Sequence, residues 1–411
     1  MKKTRFAFLM LTFLSLLSSC RQDFTKTQDT TVSDCQRGFM GVCGNKIYPS
    51  PDGYYFFAGN YLMFTDPELK NFTFVCNKAE CLHAAESPKN RINCDAFFSG
   101  PRSLSYENGK LYVLCQNLQN KQEDTFSIYE TAIDGSNRNA IYTSGDAFSA
   151  FCLHQGNVYT SEVKLTDEDG NFLEQPMVTI SRFPLKHPKD AQLLFQEADL
   201  RDGDINRMKC YGNYCYFDVV DFYDLSSESK KINLDTLDVS DCFLPSAELR
   251  GIGKDRFFYE EITENDSERN IWKSRYWQLD KDEEKPKELT KESFSAIEKQ
   301  ATLLCADDQY VYFYDIMSGE NAVPVEQQFF YIYTYEGELI DRVPFGEIQY
   351  MTDYYPGDDR YLFLYQQFSD EETGETQFSF HYLDKKNLNG NARFKTMFQG
   401  GYEEYCGAVI Y

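Results

Sequence analysis

The sequence predicts an all-β fold, a β-propeller of seven four-stranded blades. Three observations carry this. Phe (34) and Tyr (30) are abundant, while Pro (13) is scarce, and aromatic residues favour strands. A turn followed by an aromatic strand recurs at intervals of roughly 50 residues, the signature of a repeat architecture. Each interval also holds a second element, a strand–turn–strand. A four-stranded sheet cannot bury both faces alone, and radial stacking buries them while leaving few open edges.

The turn-plus-strand units read, in order, PDGYYFFAG from Pro51, ENGKLYVLC from Glu107, HQGNVYTSE from His154 and YGNYCYFDV from Tyr211. GKDRFFYEE from Gly253, DDQYVYFYD from Asp307 and GDDRYLFLY from Gly357 follow. Asn-Gly, Gln-Gly, Gly-Asn and Asp pairs suit tight hairpins because they tolerate left-handed backbone. The strand–turn–strand elements start at Phe126, Val178, Arg275, Phe330 and Phe378. Seven markers give seven blades, although their irregular spacing also admits six or eight. The first unit has only NKIYPS ahead of its aromatic strand. The terminal run Cys406–Tyr411 is therefore expected to complete the first blade.

Ahead of the repeats lies a leader. Lys2, Lys3 and Arg5 form a positive region, Phe6 to Leu17 an apolar core, and Leu17-Ser18-Ser19-Cys20 closes it. The core is short for a membrane span and reads as a signal peptide. The tetrapeptide resembles the bacterial lipobox. That resemblance implies removal of residues 1–19, a lipid (diacylglycerol and acyl chains such as palmitate) on Cys20, and an extracytoplasmic protein on the cell membrane. Residues 20–44 are polar and read as a tether, leaving 45–411 as the propeller domain. The formal charge is −24, from 65 acidic and 41 basic residues. This argues against nucleic-acid binding, which needs clustered Lys and Arg, and assigns membrane attachment to the lipid. A monomer is expected.

Thirteen cysteines less Cys20 leave an even number, and export permits disulfides. Segment 76–94 concentrates Cys76, Cys81, His83 and Cys94. One reading is a Cys81–Cys94 disulfide closing the intervening loop. The other is a metal site, since three thiolates and an imidazole are a legitimate tetrahedral zinc set, although the spacing departs from the C-x2-C knuckle. The disulfide reading is preferred, so no cofactor is expected. Cys210 and Cys215 flank the YGNY turn and are a second disulfide candidate. The run around Cys76, Asn77, Lys78, Cys81, His83, Cys94 and Ala96 resembles a segment of uncharacterised surface lipoproteins of Clostridia-type Gram-positive bacteria. The resemblance is specific over about Gly53 to Phe98. It implies a propeller-like body at the cell surface and supplies no catalytic residues.

Only four histidines occur: His83, His154, His187 and His381. No G-x-S-x-G elbow, phosphate-binding loop, dinucleotide fingerprint or H-E-x-x-H is present. Asp167, Asp169 and Asn171 alternate as calcium ligands would, but the full loop pattern is missing and a hairpin turn explains them. No catalytic residue is assigned. Two function classes follow: a binding module for a protein, peptide or glycan, which is preferred, and an extracellular carbohydrate-active hydrolase or lyase. A funnel with two convergent carboxylates would favour the second.

Overall fold

The computed structural model describes residues 44–401, apart from the internal segments 86–92, 118–124, 168–170, 243–246, 267–270, 316–322 and 370–375 and some single or paired positions. Seven four-stranded antiparallel sheets account for nearly all of it. Blade 1 holds β1 (Ile47–Ser50), β2 (Gly53–Ala58), β3 (Tyr61–Thr65) and β4 (Phe72–Phe74). Blade 2 holds β5 (Pro101–Glu107), β6 (Lys110–Asn117), β7 (Thr125–Ala132) and β8 (Asn139–Ser144). Blade 3 holds β9 (Ala147–His154), β10 (Asn157–Thr166), β11 (Phe172–Pro184) and β12 (Gln192–Glu197). Blade 4 holds β13 (Gly203–Tyr211), β14 (Tyr214–Asp221), β15 (Ser226–Asn233) and β16 (Val239–Asp241). Blade 5 holds β17 (Ala247–Ile252), β18 (Arg256–Asp266), β19 (Ile271–Asp280) and β20 (Lys287–Glu288). Blade 6 holds β21 (Thr302–Ala306), β22 (Val311–Tyr314), β23 (Phe329–Tyr333) and β24 (Leu339–Pro344). Blade 7 holds β25 (Asp353–Tyr355), β26 (Tyr361–Ser369), β27 (Thr376–Asp384) and β28 (Lys395–Gly401).

The seven aromatic strands are the second strands of the seven blades, and they read as near-continuous apolar runs because both faces are buried. Side chains alternate across a strand. On β6, Leu111, Val113 and Cys115 pack toward blade 1, while Tyr112 and Leu114 pack toward blade 3. On β26, Tyr361, Phe363 and Tyr365 face blade 1, and Leu362 and Leu364 face blade 6. The same division places core clusters at the seams between blades 3 and 4, 4 and 5, and 5 and 6. The turns obey the expected chemistry. Asn108 and Gly109 have φ of 51° and 76°, and Gln155 and Gly156 of 50° and 73°, the pairwise positive values of a type I′ hairpin.

The first blade has four strands within the described residues. Its four strands are consecutive in the chain, in the order β1-β2-β3-β4. The short IYPS segment pairs with β2 from Ile47↔Phe56 to Ser50↔Gly53, so the first-strand position is already occupied. Residues 406–411 lie outside the described residues. Among the described residues the ring closes by packing. Tyr54 meets Phe363 at 5.3 Å between ring centroids, and Phe56 meets Phe380 at 5.5 Å and Phe398 at 5.3 Å. The Tyr54 hydroxyl donates to Asp358, and Arg360 forms a bidentate pair with Glu68, both bonds 2.7 Å.

Candidate functional site

The segment after β4 runs along the edge of blade 1 to the start of blade 2. Blade 1 holds it through a Tyr61↔Phe97 bridge and a Leu62 amide donating to the Ala96 carbonyl at 2.8 Å. From blade 2, the Arg138 guanidinium donates to the carbonyl oxygens of Phe97 at 2.7 Å and of Asp95. It also lies over the Phe98 ring, 3.7 Å from the centroid. The result is a small separate core of Tyr61, Cys94, Ala96 and Phe97, against which Phe74, Cys76, Cys81 and Ala84 pack.

Within this core the four residues singled out from sequence converge. One ligand atom from each of Cys76, Cys81, His83 and Cys94 lies within 4.8 Å of the other three. Cys94 Sγ is 3.7 Å from His83 Nδ1. The His83 ring is stacked on Phe74, with centroids 4.6 Å apart and planes 17° from parallel. Its backbone has φ of 54°, a left-handed conformation that a residue with a Cβ adopts at a cost. Burial, followed by a hydrogen bond with Cys81, pushes the Cys94 thiol upward. Lys78 pairs with Asp95 at 2.8 Å and sits within electrostatic reach of Cys76 and Cys94.

No disulfide joins the described cysteines, so the structure has neither expected bridge. At the segment, the four donor atoms all lie within 4.8 Å of one another, with Cys94 hydrogen-bonded to Cys81. Cys210 and Cys215 do face each other across the β13–β14 ladder. However, Cys210 Sγ also lies 3.4 Å from Cys152 Sγ on blade 3, well beyond the bond length of about 2.05 Å. All three thiols sit in the buried seam between blades 3 and 4.

The remaining histidines do not form a catalytic group. The imidazole Nε2 of His154 contacts the Gly212 carbonyl at 2.7 Å. His187 lies in the turn after β11. The Nε2 of His381 is 2.8 Å from Ser379 Oγ, but Nδ1 faces Thr396 Oγ1 at 3.4 Å, where a triad would place a carboxylate. Both His381 and Ser379 are buried, and burial holds the imidazole pKa down at about 4. The Asp167 carboxylate accepts from the Asn171 backbone and side-chain nitrogens, at 2.9 and 3.1 Å, which is the hairpin-turn reading. Asp169 lies outside the described residues.

Sequence reading missed a charged cluster on the first strands. β5, β13, β17 and β21 each carry a register shift, at Arg102, Arg207–Met208, Arg250 and Leu304, and such bulges re-aim side chains. Arg207 pairs with Glu248, with Asp218 3.5 Å away, and Arg250 pairs with Glu260 and with Glu248 at 2.9 Å. Burial would raise Glu248, but Arg250 and Arg207 bring it below the usual carboxylate range. Burial raises Asp218 despite Arg207. Two arginines are shared among the three carboxylates, and the cluster is largely buried. The signal missed was long range: a bulge appears only when two strands are paired.

No family model matches the chain, and no curated protein matches it. Solved structures do. A prolyl endopeptidase structure aligns with 90% of this chain and 51% of its own at 10% identity and a TM-score of 0.52. The chain thus spans about half the length of that protein, and the likeness is one of fold. The β-propeller domain of the Trilobed protease from Pyrococcus furiosus, described as having an open velcro topology, aligns over 90% of this chain and 98% of its own (10% identity, TM-score 0.43). An oligogalacturonate lyase in complex with manganese aligns over 78% and 82% (12% identity, TM-score 0.44).

Proposed function

We propose that this chain is a lipid-anchored, extracytoplasmic propeller that works as a binding module, with a protein surface as its target. The observation that carries the reading is an arm on blade 3. β10 and β11 pair out to Lys164↔Met177 and, after a register break, again at Thr166↔Phe172. The flanking strands stop earlier: β9 pairs only as far as Val163 and β12 only from Val178. A two-stranded ribbon therefore projects beyond the blade. It exposes Phe172 at 85% and Leu165 at 52%, large apolar side chains with no packing role in the ring. Exposed aromatic residues are favoured contacts in protein interfaces. The lipobox resemblance at Cys20 supports the anchor, and the −24 charge leaves the lipid to provide membrane affinity. The hydrolase or lyase alternative is weaker because the clustered carboxylates are held by arginines.

Two experiments test this. Cys20→Ala should release the protein from the membrane fraction or leave it uncleaved, and membrane retention at unchanged mature mass would refute the anchor. A photo-crosslinking residue at Phe172 in the full chain on its native host should capture a discrete protein. The same residue at Val239, exposed on β16, should not. Equal yields from both positions, or capture of glycan alone, would refute the arm as a protein contact.

A further inference from the structure

We infer that Cys76, Cys81, His83 and Cys94 bind one zinc ion, a structural centre that fixes the crossover from blade 1 to blade 2. The donor set comes first. Three thiolates and one imidazole satisfy the four positions of tetrahedral zinc and leave none for water or substrate, which separates a structural from a catalytic site. Geometry is the second argument. Zinc–thiolate bonds of about 2.3 Å and a zinc–imidazole bond of about 2.0 Å place sulfur and nitrogen about 3.5 Å apart at the tetrahedral angle. Cys94 Sγ and His83 Nδ1 are 3.7 Å apart, and all four donor atoms fit within 4.8 Å of one another. A disulfide would join two sulfurs at about 2.05 Å and leave the other two donors without a purpose.

The surroundings point the same way. The Phe74 ring fixes the imidazole plane, and His83 holds a left-handed backbone with φ of 54°. Such strain persists where the surrounding structure enforces it. Three thiolates and one Zn²⁺ carry a net charge of −1, and the Lys78 ammonium, within electrostatic reach of Cys76 and Cys94, offsets it. Asp95, paired with Lys78 at 2.8 Å, orients that ammonium, as outer groups around metal ligands do. Binding exchanges three thiol protons for the ion and needs no oxidant. The backbone on either side is tied to blade 1 by the Tyr61↔Phe97 bridge and to blade 2 by Arg138. The ion therefore closes the link between two blades at their outer edge.

The test uses the full chain, expressed with zinc and purified without reductant or chelator. Elemental analysis should find about one zinc per chain. Cobalt exchanged into the site should show the ligand-field and thiolate charge-transfer bands of a tetrahedral thiolate centre. Cys81→Ser and His83→Ala should each weaken zinc binding by more than about tenfold, the loss typical of removing even an outer-shell partner of a ligand. Should these variants fail to fold, His83→Cys remains informative. It should keep the metal and intensify the thiolate-to-cobalt band. Metal-free protein with Cys81 and Cys94 joined by a disulfide, iron in place of zinc, or undiminished zinc in both loss variants would overturn the assignment.

Discussion

Two buried residues show how single side chains hold the seams. Lys385 is 3% exposed at its side chain, and its ammonium donates to Asp307 Oδ2 at 2.6 Å. It also donates to the carbonyls of Pro356 at 2.8 Å and Asp358 at 2.6 Å, so one cation ties blade 6 to blade 7. Removing one partner of a buried pair strands the other, at a cost of about 3–5 kcal/mol. Lys385→Ala should lose that much in urea denaturation, and a loss under about 1 kcal/mol would place the pair among weak surface bridges. His381 gives a pH signature. Burial lowers its folded pKa to about 4 from an ordinary 6.5, so the unfolded chain takes up the proton first. Stability falls as pH drops from 6.5 to 4, and at pH 7 the group contributes nothing. The loss is on the order of 3 kcal/mol by pH 4. Carboxylates titrate in the same range, so the readout is the difference from His381→Phe, whose stability should decline less steeply. Parallel curves for the two proteins would refute the effect.

Turns are where element-scale chemistry was most legible from sequence. Gly109 has φ of 76°, and a Cβ added there would meet nothing within 4 Å. The cost of Gly109→Ala is therefore backbone strain alone, about 1–2 kcal/mol. Gly251 differs, because its Cβ would come within 2.4 Å of the Ala306 backbone nitrogen on blade 6. Gly251→Ala should cost more than Gly109→Ala in the same denaturation assay, and the reverse order would show that the blade 5–6 seam yields easily. Sequence marked the second strand of every blade, because burial on both faces writes an apolar run. It also located the third-and-fourth-strand hairpins from Phe126, Val178, Arg275, Phe330 and Phe378. First strands were harder to read. IYPS is only four residues long, and the bulges at Arg102, Arg207 and Arg250 depend on partners in neighbouring strands. The Cys76, Cys81, His83 and Cys94 set was visible as residue types, while its convergence needed the crossover to fold back on Tyr61 and Leu62. The β10–β11 arm was invisible because its excess length shows only against the shorter β9 and β12.

At the scale of the ring, the seam between blades 7 and 1 differs from the other six. Each of those joins blades consecutive in the chain, so the polypeptide keeps the neighbours close even if packing weakens. Blades 7 and 1 stand at opposite ends of the repeat array, and among the described residues no blade takes strands from both ends of it. Among the described residues their attachment rests on side chains: Phe56, fully buried against Phe72, Phe380 and Phe398, with the Tyr54 and Arg360 contacts beside it. Truncating a buried Phe to Ala costs about 3–5 kcal/mol wherever it sits. Phe217, at the seam of blades 3 and 4, is similarly buried at 2% and provides the control. Phe56→Ala and Phe217→Ala should therefore lose similar total stability and differ in how they fail. Loss at Phe56 should let blade 1 separate before the remainder unfolds, giving a broader denaturant transition with a lower apparent slope. Amide exchange should then rise first in β1 to β3, as expected of a locally opened unit. Loss at Phe217 should shift the midpoint at an unchanged slope. Identical slopes and exchange patterns in the two variants would mean that the blade 7–1 seam is held by more than this packing.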